Sequence, residues 1–332
     1  MWKTLQKANL FWFIPGLVSF GIATVLQTWR WQWLLAVHNI RPSFRRTYGM
    51  NLIGLFFNLF LPGGTGGDLV KMYYASREAP GRRAAAVLSV FMDRVVGLLA
   101  LIAIAAVVGL FAFREFWDQP SLHGLVISLG LIVFGALGFL FFVFVVDRFH
   151  LAKRLPRWFP LRGLVVEFAT SFSSYARSQR ALWASFLVSL PAHCLLFYSF
   201  YCASQALTDQ VTLAQIFLVQ PIVQTISAMP ISVAGLGVRE HLFKATLGAL
   251  FGVPGAIAVL IGFTGFMLTV AWGAIGGLIY IFYRPSEHGA VSVLEMEREM
   301  IELEEKLVES QDADENAICN SNGKKDSCFK DN

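Results

Sequence analysis

Three short stretches hold the residues best suited to chemistry. The first runs Phe57-Asn58-Leu59-Phe60-Leu61-Pro62-Gly63-Gly64-Thr65-Gly66-Gly67-Asp68-Leu69-Val70-Lys71. Glycines such as Gly63, Gly64, Gly66 and Gly67 let a backbone adopt positive φ and approach a ligand closely. Their N–H groups, at the start of whatever helix follows, would make a nest for an anion. Lys71, one helical turn further on, would add a full positive charge, and Asn58 joins the candidate set at the other flank. No Gly-Lys-Ser/Thr follows at nucleotide-loop spacing, so this is not a P-loop. The plain alternative is a helix-breaking turn at a membrane surface.

The second stretch is Pro230 to Glu240, in which Gly235 and Gly237 precede Arg239 and Glu240. An arginine can grip a phosphate through two parallel hydrogen bonds. Glu240 could instead make a surface ion pair with Lys244, four residues on. The third stretch is Asp93-Arg94, set just before nineteen uncharged residues, Val95–Phe113. Ionisable side chains at membrane depth are costly and point to function. Adjacent helical residues do not face each other, so each needs another partner. Lys71 or Arg239 suits Asp93, and Asp68 suits Arg94. Both charges lying at headgroup level is the alternative. His193, after Pro191 in an apolar run, reads as a helix-packing residue.

The elements that carry these stretches are membrane spans. Of 332 residues, 56% are hydrophobic and 15% charged, against about 25% charged in soluble domains. Crossing the hydrocarbon core takes ~20 apolar residues in a helix. Leu10–Thr28, Ala84–Phe113, Leu122–Val146, Ala181–Leu207 and Gly252–Tyr283 meet that requirement. Tyr48–Leu61 is only ~21 Å long as a helix, at 1.5 Å per residue, and Leu213–Met229 ends at Pro230. The first span closes on Trp29-Arg30-Trp31-Gln32-Trp33, which reads as an interfacial belt with Arg30 snorkelling to the headgroups. The other reading puts Arg30 inside a lipid pathway. Lys3 and Lys7 precede the span as in a signal peptide, but no small-residue cleavage pattern follows, so it reads as uncleaved.

Charge divides the chain in two. Residues 1–284 carry 22 Lys+Arg and 9 Asp+Glu, a net of +13, and residues 285–332 carry 5 and 13, a net of −8. The basic residues lie beside apolar spans, where they orient a membrane protein and meet anionic lipid heads, so no nucleic acid is implied. The loop 147–180 is the richest in arginine and reads as cytoplasmic, as does the acidic tail. Within that tail an amphipathic helix is expected over about 292–309. Its seam Val293, Met296, Met300, Leu303 and Leu307 would let two copies, or a partner protein, pair. Residues after Ser310 read as disordered. Cys194, Cys202, Cys319 and Cys328 read as free thiols, and no residue pattern calls for a metal or cofactor.

The two Pro/Gly-broken segments echo each other. A shift of 168 positions brings Pro62 onto Pro230, Gly67 onto Gly235, Lys71 onto Arg239, Gly97 onto Gly265 and Gly109 onto Gly277. This suggests an internal repeat: about 10–113 and about 181–283, joined by the span 122–146 and the loop 147–180. Paired short, broken hydrophobic segments mark a transporter site near the membrane midplane. If both re-enter, the halves have opposite orientations. If both cross, together with His241–Phe251, there are eight spans and the halves are parallel. The fold class is therefore all-α, a polytopic helical membrane protein.

The run Asn58 to Asp68, Asp93-Arg94-Val95-Val96-Gly97, and Pro230 with Gly235-Leu236-Gly237-Val238-Arg239-Glu240 together resemble the lysylphosphatidylglycerol synthase transmembrane region, or flippase-like family. The resemblance covers about Leu10–Tyr283. It includes the membrane half of the bacterial multiple peptide resistance factor, in which a separate soluble domain makes the aminoacylated lipid. The 48-residue tail is too short to be such a domain. The resemblance therefore implies binding or translocation of an anionic lipid or lipid-linked substrate in a bacterial-type cytoplasmic membrane, not aminoacyl transfer. Lys71, Arg94, Arg239 and the glycines would hold the headgroup, and Asp68, Asp93 and Glu240 would balance charge or gate. Two other readings stand beside it: a membrane enzyme modifying a lipid head or lipid-linked sugar, and a non-transporting scaffold for such an enzyme. No HExxH, paired carboxylates with a nucleophile, or Ser/His/Asp set supports the enzyme.

Overall fold

A computed structural model describes residues 8–61, 66–79, 82–148 (140–148 as backbone only), 174–175, 177–228 and 235–283. Gly63, Gly64, Pro62, Pro230, most of the basic loop, the 292–309 helix and its 293–307 seam lie outside the described residues.

Among the described residues every regular element is a helix. After a 3-10 turn at Leu10–Trp12 come α1 (Phe13–Val37), α2 (Phe44–Phe57), α3 (Gly66–Arg77), α4 (Arg83–Phe111), the short α5 (Phe113–Trp117) and α6 (His123–Arg148). The second series is α7 (Gln179–Gln205), α8 (Leu213–Ser227), α9 (Val238–Phe251) and α10 (Gly255–Phe282). Five helices, counting α1 with its preceding turn and α6 as far as Phe139, are long and apolar enough to cross a bilayer: α1, α4, α6, α7 and α10. This is a polytopic helical membrane protein. Many outward-facing side chains are large and apolar, among them Leu131, Phe134 and Phe282, as lipid contact requires and water would penalise.

The central pair is α1 and α7. Asn9 N donates to Ala206 O at 2.9 Å, Ser19 Oγ to Leu195 O at 2.7 Å, and Arg30 Nη1 to Ser189 Oγ at 3.0 Å. Numbers rise along α1 as they fall along α7, so the two helices are antiparallel. That removes the eight-span arrangement with parallel halves. Around this pair α2 packs on α10 and α4 on α8. The α2–α10 contact depends on close approach: a Cβ at Gly276 would collide with the Leu52 carbonyl, the small-residue packing usual between membrane helices.

Two antiparallel hairpins sit against this frame. In the first, Arg46 pairs with Glu78 at the open end (2.7 Å), and Asn58 Oδ1 accepts from Gly67 N at the tip (2.8 Å). The second joins α8 to α9. Its α8 begins in a capping box formed by Thr212 and Gln215. The four hairpin helices have 14, 12, 15 and 14 residues, or about 18–23 Å each at 1.5 Å per residue, short of a ~30 Å core. Adding 168 to the bounds of α1 to α4 gives 181–205, 212–225, 234–245 and 251–279, close to α7 to α10 in order and length.

One expectation is corrected here. The first helix does not end at the Trp/Arg cluster but runs on to Val37. Arg30 is 7% exposed and Trp31 fully buried, so neither belongs to an interfacial belt. The helix can continue because Arg30 and Trp31 find polar partners inside the bundle. Trp31 Nε1 donates to Ser89 Oγ at 3.1 Å, and Arg30 meets a carboxylate.

Candidate functional site

Where the first hairpin's tip meets α1, α4, the middle of α7 and the end of α8, the helices line a partly open cavity of about 280 Å³. Its floor is an ion cluster. Arg30 Nε lies 2.7 Å from Asp93 Oδ1, and Lys71 Nζ lies 3.4 Å from Asp93 Oδ2. Arg30, Lys71 and Asp93 are each at most 7% exposed. A second pair, Arg94 Nη1 with Asp68 Oδ2 at 3.4 Å, lies nearer the surface. Thus Asp93 meets Lys71 and Arg94 meets Asp68, two of the pairings expected from sequence. Arg30 is the partner that sequence missed.

Each member is held by its surroundings. Lys71 Nζ sits 4.5 Å from the Trp31 ring centroid, a cation–π contact that offsets part of its desolvation. Gly97, one turn after Asp93, leaves room for the Arg30 guanidinium, which a Cβ there would meet at 2.7 Å. At Gly67 a methyl group would overlap the Gly54 carbonyl oxygen. Only a glycine lets α3 approach α2 closely enough to deliver Lys71 to Asp93.

The cavity wall is rich in neutral polar groups. Thr24 and Gln27 face it from α1, Asn51 and Asn58 from α2, His193 from α7 and Gln224 from α8. These were legible only in part. Thr24, Gln27 and Arg30 recur every three residues along α1, and Asn51 and Asn58 stand seven apart on α2. Polar side chains on one face of a membrane helix are the signal that could have found them. His193 does pack between helices, with Nε2 3.0 Å from Gly97 O, but it also borders the cavity.

The remaining candidates lie elsewhere. Gly66 packs against Leu61, and the Gly67 amide is already bonded to Asn58. Gly235 and Gly237 have φ of 75° and 82°, as a tight turn into α9 demands. Glu240 Oε2 accepts from Gly237 N at 2.6 Å and so caps α9. Arg239 is sandwiched by aromatic rings, 5.8 Å from the Phe200 centroid and 5.4 Å from that of Phe266. None of these four residues lines the cavity. The second hairpin reaches it through Gln224 and Ala228, which share its lining with Asn58 of the first.

A charged, polar cavity lined by bilayer-length helices and two short broken hairpins has the build of a membrane protein with a site inside its bundle. The chain belongs to the family described as the lysylphosphatidylglycerol synthase TM region, whose profile matches residues 1–277. It is also 23% identical over 283 residues to UPF0104 membrane protein PH1989 of Pyrococcus horikoshii, a match covering 77% of this chain and 82% of that protein. No solved structure matches.

Proposed function

We propose that the chain binds the headgroup of an anionic lipid or lipid-linked substrate in this cavity and moves it between leaflets. One observation carries the reading: at the cavity floor two buried cations, Arg30 and Lys71, share the single carboxylate of Asp93. A surplus buried cation is expensive in a membrane, and an anionic head would neutralise it. Acyl chains would stay in the bilayer while the head passes between the hairpin tips.

The antiparallel α1 and α7, and the correspondence of helices at a shift of 168, support two inverted repeats built around the site. With each hairpin returning to the side it entered from, Arg41, Arg45, Arg46, Arg82, Arg83 and Arg180 fall on one face. Glu115, Asp118 and Asp209 fall on the other, with Arg114 beside them. By the positive-inside rule the arginine face is cytoplasmic. The α2–α3 hairpin then enters from the cytoplasm, the α8–α9 hairpin from outside, and the C-terminus is cytoplasmic in a bacterial-type inner membrane.

Proteoliposomes with fluorescent phosphatidylglycerol test the reading through loss of protection from a membrane-impermeant quencher. Wild-type protein should speed exchange between leaflets, and Lys71→Ala should slow it by about tenfold, the worth of one charged hydrogen bond. Equal rates in protein-free, wild-type and variant vesicles would refute translocation.

A further inference from the structure

At the base of the first hairpin lies a second, open recess of about 590 Å³, whose lining includes Asn39, Arg41, Ser43, Arg46, Glu78 and Arg82. It shares no lining residue with the charged cavity. Arg41, Arg46 and Arg82 are exposed, and so are their neighbours Arg45 and Arg83. Glu78 is the only carboxylate in the recess, and it is engaged. Its Oε2 accepts from Arg46 Nη1 at 2.7 Å, and its Oε1 accepts from the Tyr283 hydroxyl at 3.5 Å. Arg82 donates to the His38 carbonyl at 2.7 Å. Among the described residues Arg41, Arg45, Arg82 and Arg83 have no carboxylate partner. Exposed arginines do not require one, but several at one recess concentrate positive potential there.

Position points to the occupant. Tyr283, the last described residue, stands at the edge of the recess, bonded to Glu78 and packed edge-on against Tyr74 with ring centroids 5.2 Å apart. The sequence beyond it carries the acidic charge of the chain. Residues 287–315 hold eleven Asp+Glu against two Lys+Arg, a net of −9. Glu295, Glu299, Glu302 and Glu309 recur at spacings of 4, 3 and 7, which would place them on one side of a helix. The apolar seam from Val293 to Leu307 would take the other side. Glu295 follows Tyr283 by twelve residues, or up to about 40 Å of chain at ~3.3 Å each, ample for a recess of this size. Belonging to the same chain, the acidic segment meets the arginines at an effective concentration on the order of millimolar.

We infer that this arginine recess is the docking site of the chain's own acidic segment, residues 287–315. Its carboxylates pair with Arg41, Arg46, Arg82 and their neighbours, and the segment covers a face that would otherwise meet anionic lipid heads. Exposed ion pairs are individually weak and screened by salt. The contact is therefore reversible, made by several pairs at once and released at high ionic strength. The recess lies where α2 begins and just beyond the end of α3, so the docked segment holds the base of the hairpin whose tip carries Lys71.

The test places a photoreactive benzophenone amino acid at Ser43, which lines the recess and whose side chain makes no cap bond. The purified full chain is irradiated in nanodiscs of phosphatidylcholine, with and without phosphatidylglycerol, and adducts are located by mass spectrometry. Two salt concentrations, about 0.1 M and about 1 M, give Debye lengths of about 10 and 3 Å. Mixing heavy- and light-isotope chains separates adducts within a chain from those between chains. Adducts to residues 287–315 of the same chain should dominate in both discs at low salt and fall at least about threefold at high salt. Glu295→Gln combined with Glu299→Gln and Glu302→Gln, which changes no described residue, should lower them at least about threefold. Arg41→Gln should lower them about twofold. Adducts to lipid in place of the segment in the anionic discs would overturn the inference and make the recess a lipid contact. Segment adducts indifferent to salt and to the glutamine variant, adducts joining heavy to light chains, or no segment adduct at all would each overturn it too.

Discussion

The two hairpins have nearly the same build and opposite interiors. Each pairs two helices too short to span, and each carries a cation near the start of its second helix, Lys71 in α3 and Arg239 in α9. In the first hairpin that cation reaches Asp93 and borders a cavity. In the second it lies between Phe200 and Phe266. The position matching Asp93 at a shift of 168 is Ile261, fully buried in an apolar cluster with Phe243 and Leu247. The position matching Arg30 is Tyr198. One hairpin therefore keeps a cluster of charges, and the other sets its arginine against aromatic rings beside an apolar cluster. The contrast teaches that a shared backbone plan need not duplicate chemistry.

Substitutions can break this contrast. The largest effect is expected at Asp93. Asp93→Asn leaves Arg30 and Lys71 buried together without a carboxylate, at a cost of about 3–5 kcal/mol. Ile261→Val at the matching place should cost only about 0.5–1.5 kcal/mol. Thermal melting in detergent compares the two, and equal losses would mean that the ion cluster does not hold the first hairpin. Next comes Gly67→Ala, where overpacking against the Gly54 carbonyl should cost about 1–3 kcal/mol. Its readout is melting together with faster proteolysis between α2 and α4.

The cations should separate by function more than by stability. Lys71→Ala should slow lipid exchange by about tenfold and change melting little, since Arg30 still neutralises Asp93. Arg239→Ala should lower stability by about 0.5–2 kcal/mol through lost ring contacts, with exchange slowed less than at Lys71. The smallest effect belongs to Glu240→Ala, which removes a cap at the start of α9. A stability loss of about 1 kcal/mol with unchanged exchange would confirm a structural role.

How far the sequence led differs between these same regions. Long apolar blocks announced α4, α6, α7 and α10 to within a few residues, because crossing a bilayer leaves no other use for such runs. The broken segments announced both hairpins through proline and glycine. Asp93 and Arg94 stood out because a charge beside nineteen uncharged residues is costly. Arg30 did not, because an arginine among tryptophans looks the same whether it rises to headgroups or turns inward. Its fate depends on Asp93, 63 positions away, and on Ser189, 159 positions away. Arg239 shows the converse: its motif matches that of Lys71, but the aromatic rings it meets come from α7 and α10, far from it in sequence. Gln224 and His193 look like packing residues alone, and only tertiary structure brings them to one cavity.

The decisive measurement maps where the headgroup rests. Phosphatidylglycerol with a photoreactive diazirine in its head would be reconstituted with the wild-type chain, irradiated, and its labelled residues located by mass spectrometry. Labelling should concentrate on the cavity-facing stretches of α1, α2 and α4 near Arg30, Asn58 and Arg94. Label collected around Arg239, Phe200 and Phe266, with none beside Asp93, would contradict the account.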